Sequence, residues 1–280
     1  MSKKIIRYSK NDRINDSILK IIKVFYHQVM TQKWQIWIAF KKDFVSSYKH
    51  TALGFLWSII LPIIPISVYI FLGYIKAFNV TDNMPFVFFI VSGITIWFYI
   101  SGTITSMLNA IQKEKSILSK VKYPLVIVLL SNFGKVFYEL LLRLGLVIVM
   151  FVYYGMSLHL EFIVLPALFI IITIFSLGIG MILAILNEIY PDIKNIVDIF
   201  LRYGLFVSSV IFLMPTEGLI GKINLFNPFN TYIVEFRNLL SFGYFDNIYL
   251  LSVTSLVAFG LFLLGLKMVY VMEYRIKAYL

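Results

Sequence analysis

The stretch Tyr48–Gly73 reads YKHTALGFLWSIILPIIPISVYIFLG, and after Lys49 it meets no Asp, Glu, Lys or Arg until Lys76. A charge-free run of that length is enough for a helix to cross a hydrocarbon core, which takes about 20 residues. The approach to it is polar and basic, with Lys41, Lys42, Asp43, Lys49 and His50. Trp57, just inside the run, suits the headgroup level. Pro62 and Pro65 lie within it, and spanning helices tolerate proline because neighbours re-satisfy the freed carbonyls. The run predicts the first membrane span.

Composition agrees. The chain of 280 residues is 60% hydrophobic and 14% charged, with mean hydropathy +0.87. Soluble domains carry about a quarter charged residues, so one polytopic membrane domain accounts for nearly the whole chain. No cysteine is present, which excludes disulfides, thiolate catalysis and cysteine-based metal sites. His27, His50 and His159 lie far apart and fit no metal-ligand spacing. The net charge of +11 fits loops obeying the positive-inside rule better than a nucleic-acid partner. Residues 1–43 lack the early apolar core of a cleavable signal, so the first span is expected to remain as an anchor.

Six charge-poor runs are candidate spans: Thr51–Tyr74, Phe86–Ile111, one within Tyr123–Met156, Phe162–Leu186, Ile199–Met214 and Ile248–Leu266. The fifth is the shortest. Eleven lysines and arginines precede the first span, and Lys113, Lys115, Lys120 and Lys122 separate the second from the third. Lys267, Arg275 and Lys277 end the chain, whereas the alternate loops hold only Lys76, Lys222 and Arg237. Both ends are therefore expected in the cytoplasm, and six spans satisfy the even number this requires. The predicted architecture is an all-α membrane protein. Residues 1–50 form a cytoplasmic or interfacial arm, 51–270 a six-helix domain and 271–280 a cytoplasmic tail.

In the arm, Ile14, Ile18, Ile21, Ile22, Phe25 and Val29 recur at helical spacing, followed by Trp34, Trp37, Phe40 and Phe44. Such a basic, aromatic, amphipathic helix lies in the headgroup plane or packs on a soluble partner. In the third run Lys135, Glu139 and Arg143 recur every four residues. Either they pair along one face inside the membrane, or the span begins near Leu140 and leaves Lys135 and Glu139 in the cytoplasm. Arg202 in the fifth run poses the same question, with Asp198 one turn earlier as its candidate partner.

Pro215–Phe242 is too polar to span and too apolar for an ordinary loop. Asn227-Pro228 breaks it, and Asn230 or Thr231 can cap a following helix. The pattern fits two short helices at membrane depth, serving as a gate or as a packing hairpin. There is no Walker-type loop: Gly134-Lys135 and Gly221-Lys222 run into Val136 and Ile223 instead of Ser or Thr. No Gly-x-Ser-x-Gly elbow appears either. The aromatic load is 17%, with Tyr69, Tyr74, Trp97, Phe200 and Tyr203 in or near spans. Aromatic faces suit sugar rings, and they also suit lipid.

Tyr48-Lys49, Leu53-Gly54-Phe55-Leu56-Trp57-Ser58 and Pro62, then Leu118–Pro124 (LSKVKYP), Asn187–Asp192 (NEIYPD), Asn227-Pro228 with Val234, Arg237, Asn238 and Leu239, and the terminal Tyr274-Arg275 follow one another in a familiar order. Together they resemble type-2 ABC exporter permeases for polysaccharides, the group that exports O-antigen, capsule and teichoic acid. Ser47 and Pro191 stand where the family usually carries arginine.

The resemblance implies a half-transporter of the bacterial cytoplasmic membrane, working as a homodimer on a lipid-linked glycan. It implies that a separate ATP-binding cassette subunit holds ATP and Mg, that this chain holds no cofactor, and that it is no enzyme itself. It assigns the ATPase contact to Glu114, Lys115, Ser116, Leu118, Lys120, Val121, Tyr123 and Pro124. The external gate falls to Asn227, Pro228 and Arg237. The substrate path is expected along Tyr69, Tyr74, Trp97, Phe200 and Tyr203. A permease for a smaller lipid or drug, and an ion-coupled transporter using Lys135, Glu139, Arg143 and Arg202, are the alternatives. A membrane enzyme that builds glycans is a third.

Overall fold

In a computed structural model, residues 13–48, 53–54, 56–75, 84–118, 124–214 and 217–279 are described. Among them every regular element is helical. The helices are α1 (Ile18–Thr31), α2 (Lys33–Tyr48), α3 (Leu56–Tyr74), α4 (Phe86–Lys113), α5 (Lys115–Leu118), α6 (Leu125–Tyr153), α7 (Leu165–Ile189), α8 (Asp192–Gly204), α9 (Gly218–Leu225), α10 (Pro228–Phe242) and α11 (Ile248–Tyr279). Short 3-10 turns lead into α7 at Leu160–Val164 and out of α8 at Leu205–Val207.

Four stretches among the described residues are long and apolar enough to cross a membrane: Phe86–Lys113, Leu125–Tyr153, Leu160–Ile189 and Ile248–Ile276. The chain is thus a multi-pass membrane protein. The first run begins outside the described residues, and its helix α3 spans 19 residues with Pro62 and Pro65 inside it. Each proline withholds one ladder hydrogen bond.

α4 is the most enclosed helix, with α3, α6, α7, α8 and α10 around it. Its hydroxyls turn back on their own helix: Ser92 Oγ donates to Phe88 O at 2.7 Å, Thr95 Oγ1 to Val91 O at 2.7 Å and Thr103 Oγ1 to Tyr99 O at 2.8 Å. α7 and α11 run against each other along a close seam. A Cβ on Gly178 would lie 2.6 Å from Phe262 N, and one on Gly265 would lie 2.9 Å from Gly178 O. Only glycine allows such an approach of two backbones.

α6 is one continuous helix from Leu125 to Tyr153, so Lys135, Glu139 and Arg143 stand at successive turns of it. Arg143 reaches Glu139 at 3.4 Å and sits over the Phe98 ring at 5.3 Å. The fifth run departs from expectation. α8 starts at Asp192 and ends at Gly204, and Ser208–Met214 is not helical. The helix gives way to a 3-10 turn at Leu205–Val207, and a left-handed turn at Ser209 (φ 49°) then carries the chain out of the helical path. At the far end, α11 continues past Leu266 to Tyr279, so residues 271–279 are its last turns.

The arm is helical as expected. α1 buries Ile21 and Phe25 against the lower bundle. α2 docks on α6, where Gly134 makes room for the Phe40 ring; a Cβ there would lie 2.7 Å from Phe40 Cδ2. Phe44 continues the contact edge-on to Tyr138 at 4.8 Å. The arm is therefore joined to the protein's own helices along one side, while Trp34 and Trp37 stay exposed.

Candidate functional site

Two polar constructions stand at opposite ends of the bundle. The basic end gathers the last turn of α4, α5, the start of α6, the end of α11 and the arm. Lys113, in the last turn of α4, forms an ion pair with Asp43 of α2 and donates to Asn132 Oδ1 at 3.3 Å. α5 follows at once, with Leu118 buried. Pro124 then holds an extended backbone that admits α6 directly after it. The first amide of α6, Leu125 N, donates to Glu273 Oε1 at 3.1 Å.

Glu273 is 5% exposed, and its other oxygen accepts from Arg13 Nη1 at 3.2 Å. Arg13 also lies over the Tyr270 ring at 4.9 Å, and the Tyr270 hydroxyl donates to Asp16 Oδ2 at 2.7 Å. Lys20 closes the group by donating to Asp16 at 2.5 Å. Lys20 and then Tyr270 hold the Asp16 carboxyl below its usual range. Of the sequence-assigned ATPase contacts, Glu114, Lys115, Leu118 and Pro124 lie together here, and Ser116 falls within α5. Lys120, Val121 and Tyr123 lie outside the described residues.

At the other end two of the residues the sequence assigns to a gate, Asn227 and Arg237, converge on one segment, Val207–Val210. Asn227 caps α10, its side-chain oxygen accepting from Phe229 N at 3.1 Å. Its amide donates to Val207 O at 2.9 Å and Ser208 Oγ at 3.1 Å. Pro228 occupies the first helical position, where its missing N–H costs nothing.

Arg237, two and a half turns on, is 1% exposed. It donates to Ser209 O at 3.1 Å, Phe89 O at 3.1 Å, Val210 O at 3.4 Å and Ser92 Oγ at 3.5 Å, and packs on the Phe89 ring. Gly93 makes the space, since a Cβ there would lie 2.4 Å from Arg237 Nη2. The guanidinium fork thereby binds α10 to α4 and to the left-handed turn. A planar, always-charged group is the side chain that can serve several carbonyls at once.

Buried Glu235, half a turn before Arg237, works in the opposite direction. Its two oxygens accept from Asp246 N at 2.9 Å and Asn247 N at 2.8 Å, at the approach to α11. Sequence reasoning missed Glu235, Glu273, Gly93 and Ser209. A trace of Glu273 was visible as a lone acid among the closing bases Lys267, Arg275 and Lys277.

The five aromatics expected along a substrate path divide. Tyr74 is 87% exposed, Tyr203 and Phe200 are exposed on α8, and Tyr69 is half-buried. Trp97 is core, contrary to the sequence reading. It is 2% exposed, with its ring 5.5 Å from Phe229 and Gly204 directly behind it. Phe200 touches the same Phe229 at 6.0 Å, so Trp97 supports the surface that Phe200 presents. Arg202 is exposed on that face and does not pair with Asp198.

Residues 34–241, which run from α2 into α10, match the ABC-2 type transporter family. The chain belongs to the ABC-2 type transporter family. Among curated proteins it is similar to an O-antigen export system permease protein RfbA of Myxococcus xanthus, 26% identical over 63% of this chain and 67% of that one. It is also similar to two proteins of that name from Klebsiella pneumoniae. They are 24% and 23% identical, each over 84% of this chain and 90% of the relative.

Proposed function

We propose that this chain is the permease subunit of an ATP-driven exporter that moves a lipid-linked, O-antigen-like polysaccharide across a bacterial cytoplasmic membrane. Two copies form the path, and separate ATP-binding cassette subunits hold ATP and Mg. The observation that carries this is the family match over residues 34–241, spanning both the α5 end and the α10 end. The names borne by its relatives support the glycan as cargo.

The basic end is cytoplasmic in this reading, because lysine and arginine concentrate in the arm, in residues 113–122 and at the end of α11. α5 and the residues up to Pro124 dock on the ATPase. α3, α4, α6, α7 and α11 make five crossings, and α8 with the turns up to Met214 makes the sixth. α9 and α10, on either side of Asn227-Pro228, close the outer end as gate helices. Tyr74, Phe200 and Tyr203, with Tyr69 beside them, face the space between the two copies. Sugar rings there stack weakly and repeatedly, so the chain can leave as readily as it enters.

The test is surface glycan per assembled complex, measured with the cognate ATPase. Replacing Tyr69, Tyr74 and Tyr203 together by Ala should cut export while insertion and assembly persist. Unchanged glycan per complex removes these residues from the path. Charge reversal at Lys120 with deletion of Ser119 should leave ATPase binding and hydrolysis but abolish export. Full export in that variant refutes the docking role of the α5 segment.

A further inference from the structure

The two buried glutamates form the joints at the two ends of one helix. Glu235 of α10 is 2% exposed and grips the amides that lead into α11. Glu273, near the other end of α11, is 5% exposed and grips the first amide of α6. Both carboxylates sit at helix N-termini, where the backbone amides are unsatisfied and the helix dipole is positive. Between them α11 runs without a break, and Glu273 lies 25 residues after Ile248, about 38 Å at 1.5 Å per residue. A buried carboxylate is a costly way to hold two helices together where apolar packing would serve. What it adds is a directional grip that an apolar contact lacks.

We infer that α11 is a connecting rod between the segment preceding α6 and the α10 element, with Glu273 and Glu235 as its two positioning joints. This rests on the reading above that a driven ATPase acts on the α5 segment. A shift of the 115–124 segment moves the start of α6. Through Leu125 N and Glu273 it pulls on the lower end of α11. At the upper end the Asp246 and Asn247 amides carry the displacement to Glu235, and so to α10. From α10 the fork of Arg237 and the cap of Asn227 pass it to Val207–Val210. Arg13 on the second oxygen of Glu273 joins the arm to the same lower joint.

The experiment uses the chain in complex with its ATPase and reads glycan exported per ATP hydrolysed. The variants are Glu235→Gln, Glu273→Gln and the pair. Glutamine keeps the volume but offers one acceptor oxygen where each joint uses two. Complex yield and ATP hydrolysis should stay near wild type, while export per ATP falls about tenfold in each single variant, an ordinary size for coupling between sites. The double variant should lose no more than either single, since one parted joint already disconnects the rod. Unchanged export per ATP in either single variant, or a double loss equal to the product of the singles, overturns the rod. If a Gln variant fails to assemble, the Asp variant, which shortens the same joint, is read by the same ratio and criteria. Wild-type complex that hydrolyses ATP and exports no glycan overturns the transport reading instead, so the two failures are distinct.

Discussion

At the scale of single residues, Arg237 and Gly93 decide the upper end of the bundle. Gly93→Ala places a methyl 2.4 Å from Arg237 Nη2 and 2.8 Å from Val210 O, and the second of these is backbone that cannot simply swing aside. A loss of about 1–3 kcal/mol is expected, as for other overpacked sites. It should be read as a lower unfolding temperature of the purified protein. Arg237→Lys keeps the charge but loses the fork, leaving the carbonyl of Ser209 or Val210 without a donor. Each orphaned carbonyl costs about 1–3 kcal/mol, so this variant should be at least as destabilised as Gly93→Ala. A Lys variant as stable as wild type would show that charge alone holds the turn. Arg237 itself was legible in the sequence through its place after Asn227-Pro228. Gly93 was not, because a glycine in an apolar run gives no sign of what approaches it.

At the scale of elements, the arm is the clearest case for a test. α2 is seated on α6 by Phe40 over Gly134, so Gly134→Ala should lift it and expose Lys41 and Lys42 to trypsin faster. Phe40→Leu in the same chain should restore protection by vacating the ring's space; no rescue would place the effect within α6. α1 adds a pH dependence. The folded protein holds Asp16 below its usual range, so its contribution is full above the ordinary carboxylate value near 4 and fades as pH falls through the lowered one. Proteolysis at the start of α1 should therefore rise on acidification, and Asp16→Asn should be loosened already at neutral pH. The amphipathic pattern from Ile14 to Phe44 made these helices readable. It could not say that their apolar faces turn to α6 and α11, because a membrane surface and a helix face ask for the same periodicity. α8 shows the other limit. Ile199–Met214 reads as an apolar run, but apolarity does not disclose that Ser209 turns the backbone away.

At the scale of the whole molecule, the exposed face of α8 is the natural place to ask about a second copy. Single cysteines at Phe200 or Tyr203 in this cysteine-free chain should crosslink between copies in the assembled complex, and cysteine at Val149 on α6 should not. Crosslinking at 149 and silence at 200 and 203 would place the contact elsewhere. The order in which the chain is made bears on how α4 reaches the centre of the bundle. α4 leaves the ribosome before α6, α7, α10 and α11, so it must wait in lipid without the neighbours that will surround it. Its hydroxyls already bond one turn back, at Ser92, Thr95, Ser101 and Thr103, and a helix so sealed is at ease in hydrocarbon. The notch at Gly93 stands open through that wait, until the later-made Arg237 fills it and locks a helix already at ease in lipid to the segment that arrives after it.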